Sequence, residues 1–176
     1  KHHIDSYNQF FSSGLHEVFK NNSPLRFFKE YDKDVDDYKL ECEIYFGGIN
    51  TDKIYYGKPI IYDENEDETR EHYMYPNEAR LRNMTYGFTI HYDIDVKFRI
   101  LVDKEDGSTG KNKFDVHEEI ITIDKVYFGR FPIMLQSNLC LLNKLSPEVR
   151  YNMGECRNDP GGYFIIDGNE KSLVSQ

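Results

Sequence analysis

The chain has 176 residues, 39% of them hydrophobic and 15% aromatic, enough apolar material for the packed interior of one domain or for one piece of a larger subunit. Its formal charge of -9, from 22 Lys and Arg against 31 Asp and Glu, argues against a surface that grips nucleic acid as a whole, because phosphate contact is driven by cationic side chains releasing counterions. No run approaches the roughly 18 apolar residues of a membrane span, Lys1 to Phe11 do not read as a signal peptide, and Cys42, Cys140 and Cys156 lack the spacing of a disulfide framework or a zinc site.

Ile4, Tyr7, Phe11, Leu15 and Val18 recur every three or four residues and predict a helix from Ile4 to Lys20, stopped by Asn21-Asn22-Ser23-Pro24. In Leu40-Glu41-Cys42-Glu43-Ile44-Tyr45-Phe46 apolar positions alternate with glutamates, the two-residue period of a half-buried strand that Gly47-Gly48 ends or bends. Acid is concentrated at Asp32, Asp34, Asp36 and Asp37 and again in Asp63-Glu64-Asn65-Glu66-Asp67-Glu68, both of which read as solvated loops. The second run has no apolar anchor to desolvate a carboxyl for acid-base chemistry. Tyr75 before Pro76 marks the entry to a short helical turn, on which Arg80 and Arg82, two residues apart, are splayed to different faces. Such an arginine either pairs with a nearby acid or holds a backbone phosphate or a neighbouring subunit's carboxylate, since its planar fork suits both.

From Thr89 to Ile100 the alternation is sustained: Ile90, Tyr92, Ile94, Val96, Phe98 and Ile100 are expected to be buried, and the odd-numbered residues to face water. Asp93 and Asp95 share that second face, where they either meet solvent or bind a divalent cation with further oxygen donors. A polar connection carrying Asp106-Gly107-Ser108-Thr109-Gly110 leads to a second β-rich run, Glu119 through Phe128, and the two runs suggest a long antiparallel pair. Ser146-Pro147-Glu148 reads as an N-cap, a proline in the first turn and a favourable acid, opening a short helix that Gly154 can end. Gly161-Gly162 lacks the strand-to-helix setting of a phosphate-cradling loop and reads as a turn. Tyr163–Ile166 and Lys171–Val174 flank Asp167-Gly168-Asn169, a hairpin signal. No serine sits in a G-x-S-x-G elbow, no repeat or low-complexity tract interrupts the chain, and no linker separates two compositions, so a single α+β unit is expected.

Five stretches, in order, resemble the second-largest subunits of cellular and large-DNA-virus RNA polymerases: Ile4-Asp5-Ser6-Tyr7-Asn8-Gln9-Phe10; Tyr75-Pro76-Asn77-Glu78-Ala79-Arg80-Leu81-Arg82-Asn83-Met84-Thr85-Tyr86; Phe128-Gly129-Arg130-Phe131-Pro132-Ile133-Met134-Leu135; Gly154-Glu155-Cys156; and Gly161-Gly162-Tyr163-Phe164-Ile165-Ile166-Asp167-Gly168-Asn169-Glu170-Lys171. Likeness is weaker at Asp63 to His72 and at Asp103 to Lys113. Asp167 and Asn169 stand where the family more often has asparagine and serine or threonine, all compatible with a turn.

The resemblance implies the protrusion region of that subunit, with residues 1–176 as its first segment. Its fold would be α+β, an N-terminal amphipathic helix with a mainly antiparallel twisted sheet and short helices. It further implies a non-catalytic jaw over the upstream side of the active-centre cleft of a DNA-directed RNA polymerase, a nucleotidyltransferase, helping to position DNA and the RNA-DNA hybrid. The catalytic aspartates, and the Mg2+ they hold, would belong to the largest subunit, leaving neither a catalytic residue nor a cofactor here. Implied partners are the largest and other polymerase subunits, template DNA, the RNA-DNA hybrid and initiation factors, without a membrane. The setting would be the nucleus, or a virion or cytoplasmic viral factory. Lys171 and Gln176, then Arg80, Arg82 and Arg130, are the residues expected to face nucleic acid. The alternative is a stand-alone interaction module of the same fold whose acidic loops meet a basic partner.

Overall fold

The computed structural model describes residues 2–64, 69–104 and 114–174. The first apolar stripe folds as helix α1 (His2–Gln9), a π-helical turn (Phe10–Gly14) and helix α2 (Leu15–Asn21) in unbroken succession. A π turn holds one residue more than an α turn and rotates the stripe. Leu15 and Phe19 are therefore buried, whereas Val18, placed on the stripe by its spacing, is 47% exposed.

Strands β1 (Leu25–Asp32), β2 (Asp37–Phe46) and β3 (Ile54–Tyr56) follow, then the hairpin of β4 (Ile60–Glu64) and β5 (Thr69–Tyr73) and helix α3 (Pro76–Leu81). Two long strands, β6 (Gly87–Asp103) and β7 (Phe114–Pro132), precede helix α4 (Pro147–Asn152) and the short hairpin of β8 (Phe164–Ile166) and β9 (Asn169–Lys171). The larger sheet has the order β1-β2-β6-β3, with β7 also pairing with β6. The pairs β1/β2, β2/β6, β4/β5 and β8/β9 are antiparallel, so the expected α+β architecture of helices and mainly antiparallel sheet is the one found. Much of the expected loop Asp103 to Lys113 and of the acidic run at 63–68 lies outside the described residues. Asp63 is not in a loop: it belongs to β4 and lies opposite Arg70 of β5.

The chain forms two compact units where one is expected, the first from residues 1–15, 56–91 and 127–176, the second from 16–55 and 92–126. The polypeptide passes between them four times, within α2, β3 and β6 and near the middle of β7. No linker or change of composition marks a boundary because regular structure runs through each crossing.

In the second unit the register sets Phe27, Cys42 and Phe98 in one row and Arg26, Glu43 and Lys97 in the next. Side chains alternate across a sheet, so one face is apolar and the other carries charge. On the charged face Arg26 Nε lies 2.7 Å from Glu43, and Arg99 reaches Asp37 at 2.7 Å and Glu41 at 3.3 Å.

The strand β6 departs from simple alternation. Ile90 and Val96 are buried as expected, and Tyr92, Ile94 and Phe98 are half-buried, but Ile100 is exposed and Asp93 and Asp95 are 6% and 3% exposed. Neither aspartate faces water. Asp93 accepts hydrogen bonds from the Tyr55 hydroxyl at 2.9 Å and from the Lys125 backbone N–H at 2.8 Å, the latter turned inward by a left-handed backbone at Lys125 (φ 51°). Asp95 accepts from Lys53 Nζ at 2.8 and 3.0 Å, Thr122 Oγ1 at 2.7 Å and the Ile49 N–H at 3.1 Å. A buried carboxylate persists only when its lone pairs are taken up in this way.

The core of the first unit contains Met74, Tyr86, Phe88, Ile90, Ile133, Leu135, Leu142 and Ile165. The helical segment joins it through Phe11, whose ring lies 4.8 Å from Tyr7, 5.4 Å from Phe88, 6.1 Å from Phe131 and 6.2 Å from Tyr56. Gly87 is needed where β6 and β7 meet, because a Cβ there would stand 2.5 Å from the Phe131 carbonyl oxygen. Replacing Phe11 with alanine is expected to lower the unfolding free energy by about 3 kcal/mol, by loss of burial and of tilted ring contacts, read as a shift of the urea midpoint at constant m. A loss below about 0.5 kcal/mol would show that these rings do not hold the helix to the core.

Candidate nucleic-acid interface

Helix α3 has no side-chain cap of its own at Tyr75, and Pro76 in its first turn has no N–H to satisfy. The open N–H of Asn77 is taken by a carboxylate from far along the chain: Glu155 Oε1 accepts it at 2.7 Å. The other oxygen, Oε2, lies 3.4 Å from Arg80 NH1. Glu155 is 5% exposed and so joins the start of α3 to its last turn from inside the fold.

Arg80 distributes its remaining donors among neighbours of the same kind. Its Nε reaches Glu170 Oε1 at 3.0 Å and its NH2 reaches the Tyr163 hydroxyl at 2.7 Å, with Asp159 3.9 Å away. Tyr163 in turn donates to Asp159 at 2.5 Å, and burial, followed by that bond, pushes its phenol up. This arginine is bound on every donor-bearing side by acid or phenol, and it ties α3 to β9. Arg80, in the second resembling stretch, therefore joins it to Glu155 of the fourth and to Tyr163 and Glu170 of the fifth.

Arg82, at the C-cap of α3, turns to another face as its spacing predicts. Its NH1 lies 3.0 Å from Asp63 and 3.6 Å from Glu78, and its side chain is 42% exposed. The same two carboxylates flank His72, at 3.6 and 3.0 Å. Arg130 is exposed and donates through NH2 to the Thr85 carbonyl at 3.0 Å, leaving further donors turned to solvent.

Thr85 also anchors the hairpin. The Asp167 N–H donates to its hydroxyl at 3.2 Å, the Gly168 N–H to the Met84 carbonyl at 3.0 Å and the Tyr86 N–H to the Ile165 carbonyl at 3.0 Å. Asp167 and Gly168 both have positive φ, 50° and 76°, as the two central residues of a type I′ turn require, and Ile166 pairs with Asn169 across it. A Cβ at Gly168 would meet the Asn83 backbone at 2.9 Å. Lys171, the last residue of β9, is exposed and has no ion pair among the described residues.

The structure thus gathers Arg80, Arg82, Arg130 and Lys171 around α3, Thr85 and the β8/β9 hairpin, but in two chemical states. Arg80 and Arg82 are engaged by carboxylates, whereas Arg130 and Lys171 present cationic groups outward. Gln176 lies outside the described residues. Sequence reasoning missed Glu155, Asp159 and Glu170 as the partners of Arg80. The signal available was the position of all three within or beside the resembling stretches.

Among the described residues no group of three or more His, Cys, Asp or Glu is placed to hold a metal ion. Asp93 and Asp95, the pair that could bind a divalent cation by its spacing, do not fit one. All four oxygens accept hydrogen bonds from protein groups, and Lys53 already supplies the compensating charge.

A family model described as RNA polymerase beta subunit matches residues 1–176. Similar proteins include DNA-directed RNA polymerase II subunit RPB2 of Eremothecium gossypii, 35% identical over 98% of this chain. DNA-directed RNA polymerase subunit Rpo2N of Methanothermobacter thermautotrophicus is 34% identical over 99% of this chain, and DNA-directed RNA polymerase III subunit 2 of Arabidopsis thaliana is 34% identical over 100% of this chain. The chain spans 14%, 27% and 12% of those three proteins respectively.

Proposed function

We propose, since the chain belongs to the RNA polymerase beta subunit family along all its residues, that it forms the protrusion of a second-largest subunit and acts as a non-catalytic jaw beside the path of DNA and RNA-DNA hybrid. In this reading residues 1–176 are the first protrusion segment, the other polymerase subunits and initiation factors are its partners, and Mg2+ chemistry belongs to the largest subunit. The observation that carries the reading is the clamp centred on Arg80, in which parts of three of the family-like stretches are fastened to one another through the buried Glu155, the Tyr163 hydroxyl and the more exposed Glu170.

The clamp also sorts the candidate cations. Arg80 positions the hairpin and is unavailable to phosphate. Arg82 is divided between Asp63 and Glu78, and only a ligand that competes with both could recruit it. Arg130 and Lys171 are the groups with donors to spare. Because the chain carries net negative charge, their role is to tune the path of a polyanion held mainly by the rest of the enzyme.

In the assembled polymerase, Arg130→Ala and Lys171→Ala are each expected to flatten the dependence of log K on log salt by about one unit, with sequence preference unchanged. Titration of a fluorescent duplex at several salt concentrations measures it. Unchanged slopes for both variants, with Arg82→Ala giving the full effect, would reverse the assignment.

A further inference from the structure

In the first unit a cleft of about 470 Å3 opens between the segment entering β4, the end of β5 and the segment after β7. Its volume lies within the range that accommodates a drug-sized ligand or a few side chains. Phe88 and Ile133 contribute its buried floor, and Tyr56, Tyr73 and Tyr75 its walls. Lys58 and Lys144 stand exposed at its edge.

The charge of this cleft opposes that of the chain. Acids outnumber bases by 31 to 22 in the sequence, yet no residue lining the cleft carries a carboxylate. Several lysines elsewhere are held by acids, Lys53 by Asp95 at 2.8 Å, Lys97 by Glu118 at 3.0 Å and Lys104 by Asp115 at 3.5 Å, although Lys171 has no such partner among the described residues. Lys58 instead lies 3.2 Å from the Tyr73 hydroxyl and 5.5 Å from the centre of its ring, and neither it nor Lys144 has a carboxylate partner among the described residues.

We propose that this cleft docks a protein segment presenting a large apolar side chain flanked by carboxylates. The apolar side chain would displace water from the floor, the main source of favourable free energy in burying a phenylalanine or leucine. Tyrosine walls give rigid contact area at small entropic cost, the reason such residues are enriched at the energetic centres of interfaces. The two unpaired ammonium groups select an acidic flank and reject a basic one. A nucleic acid fits less well, because the floor offers nothing to phosphate and the net field of the chain repels a polyanion. The inference is independent of the nucleic-acid assignment of Arg130 and Lys171, which lie outside the cleft lining.

The test uses the complete polypeptide that carries these residues and fluorescence anisotropy with three labelled probes: a peptide with one phenylalanine between aspartates, its counterpart with lysines for aspartates, and a single-stranded oligothymidylate. The acidic peptide is expected to bind saturably with a Kd on the order of 10–100 μM, and the lysine counterpart at least tenfold more weakly. The K58E/K144E double variant, both changes at exposed positions, should weaken the acidic peptide about tenfold or more while leaving the melting temperature in place. Equal binding of the two peptides, no binding at about 1 mM, affinity unchanged in the double variant, or oligothymidylate outcompeting the acidic peptide would each overturn the proposal.

Discussion

Replacing Glu155 with alanine is expected to lower the unfolding free energy by about 3–5 kcal/mol, the cost of removing one partner from a buried charge pair. The Glu155 side chain is 3% exposed, and its loss strands the Asn77 N–H at the start of α3 and takes from Arg80 its one fully buried acidic partner. Glutamine at the same position keeps an acceptor for Asn77 but turns an amide or a neutral oxygen toward Arg80, so an intermediate loss is expected. The control is Glu170→Ala. That carboxylate makes the shorter contact with Arg80, 3.0 Å against 3.4 Å, yet its side chain is 58% exposed, and a solvated pair contributes under about 1 kcal/mol. Burial, not distance, decides which pair matters. With no tryptophan and 14 tyrosines, urea unfolding can be followed by intrinsic tyrosine fluorescence. Equal losses for the alanine variants at 155 and 170 would contradict the account of the clamp.

The second large effect belongs to Asp95. Burial alone would push its carboxyl up, but the hydrogen bonds from Lys53, Thr122 and the Ile49 N–H outweigh burial and hold it below the ordinary aspartate value. The folded state therefore binds this proton less readily than the unfolded chain, whose aspartates titrate near about 3.9. The associated stability is complete above that value and is lost as pH falls through the lower, folded one. Asp95→Asn should accordingly flatten the acid limb of the stability profile below about pH 4. Asp95→Ala should cost about 2–4 kcal/mol at neutral pH by leaving three donors without an acceptor. Melting temperatures between pH 2 and 7 measure both. An acid limb as steep in the asparagine variant as in the parent would place the titration on other carboxylates.

Those two aspartates also mark where reading by period reaches its limit. A two-residue alternation identifies the strand β6 and its apolar face, since six consecutive matches leave no helix as a rival. It says nothing about whether the opposite face is covered. Tyr55, Thr122 and Lys125, which cover it, lie about 30 residues or more away in sequence and carry no pattern announcing that they donate to Asp93 and Asp95.

Local chemistry, by contrast, was legible wherever the structure uses local rules. Asp167-Gly168 forms the expected tight turn, and Ser146 accepts the Val149 N–H at 3.4 Å at the start of α4. Strand β1 escaped notice because it is an edge strand, exposed along most of its length, with Phe27 and Phe28 adjacent and no alternation to detect. In the candidate site the arginines could be picked out by residue type and their splay by spacing. Whether Arg80 was spent on a carboxylate depended on Glu155 and Glu170, 75 and 90 residues downstream, and Arg82 on Asp63, 19 residues upstream, as well as on the local Glu78.

The fourfold passage of the chain between units has a consequence for biosynthesis. The acceptor for the Tyr7 hydroxyl is the Pro132 carbonyl, 125 residues later, and Asn8 receives the Asn138 N–H from 130 residues away. At about 5–20 residues per second, a ribosome needs on the order of ten seconds to deliver these partners after α1 has been made. Until they emerge, Tyr7 and Asn8 lack these partners, and Phe11, whose ring meets Tyr56, Phe88 and Phe131 in the folded chain, is covered only in stages. The nascent chain is expected to engage holding chaperones during that interval, and slowing translation anywhere between residues 20 and 130 should prolong the engagement.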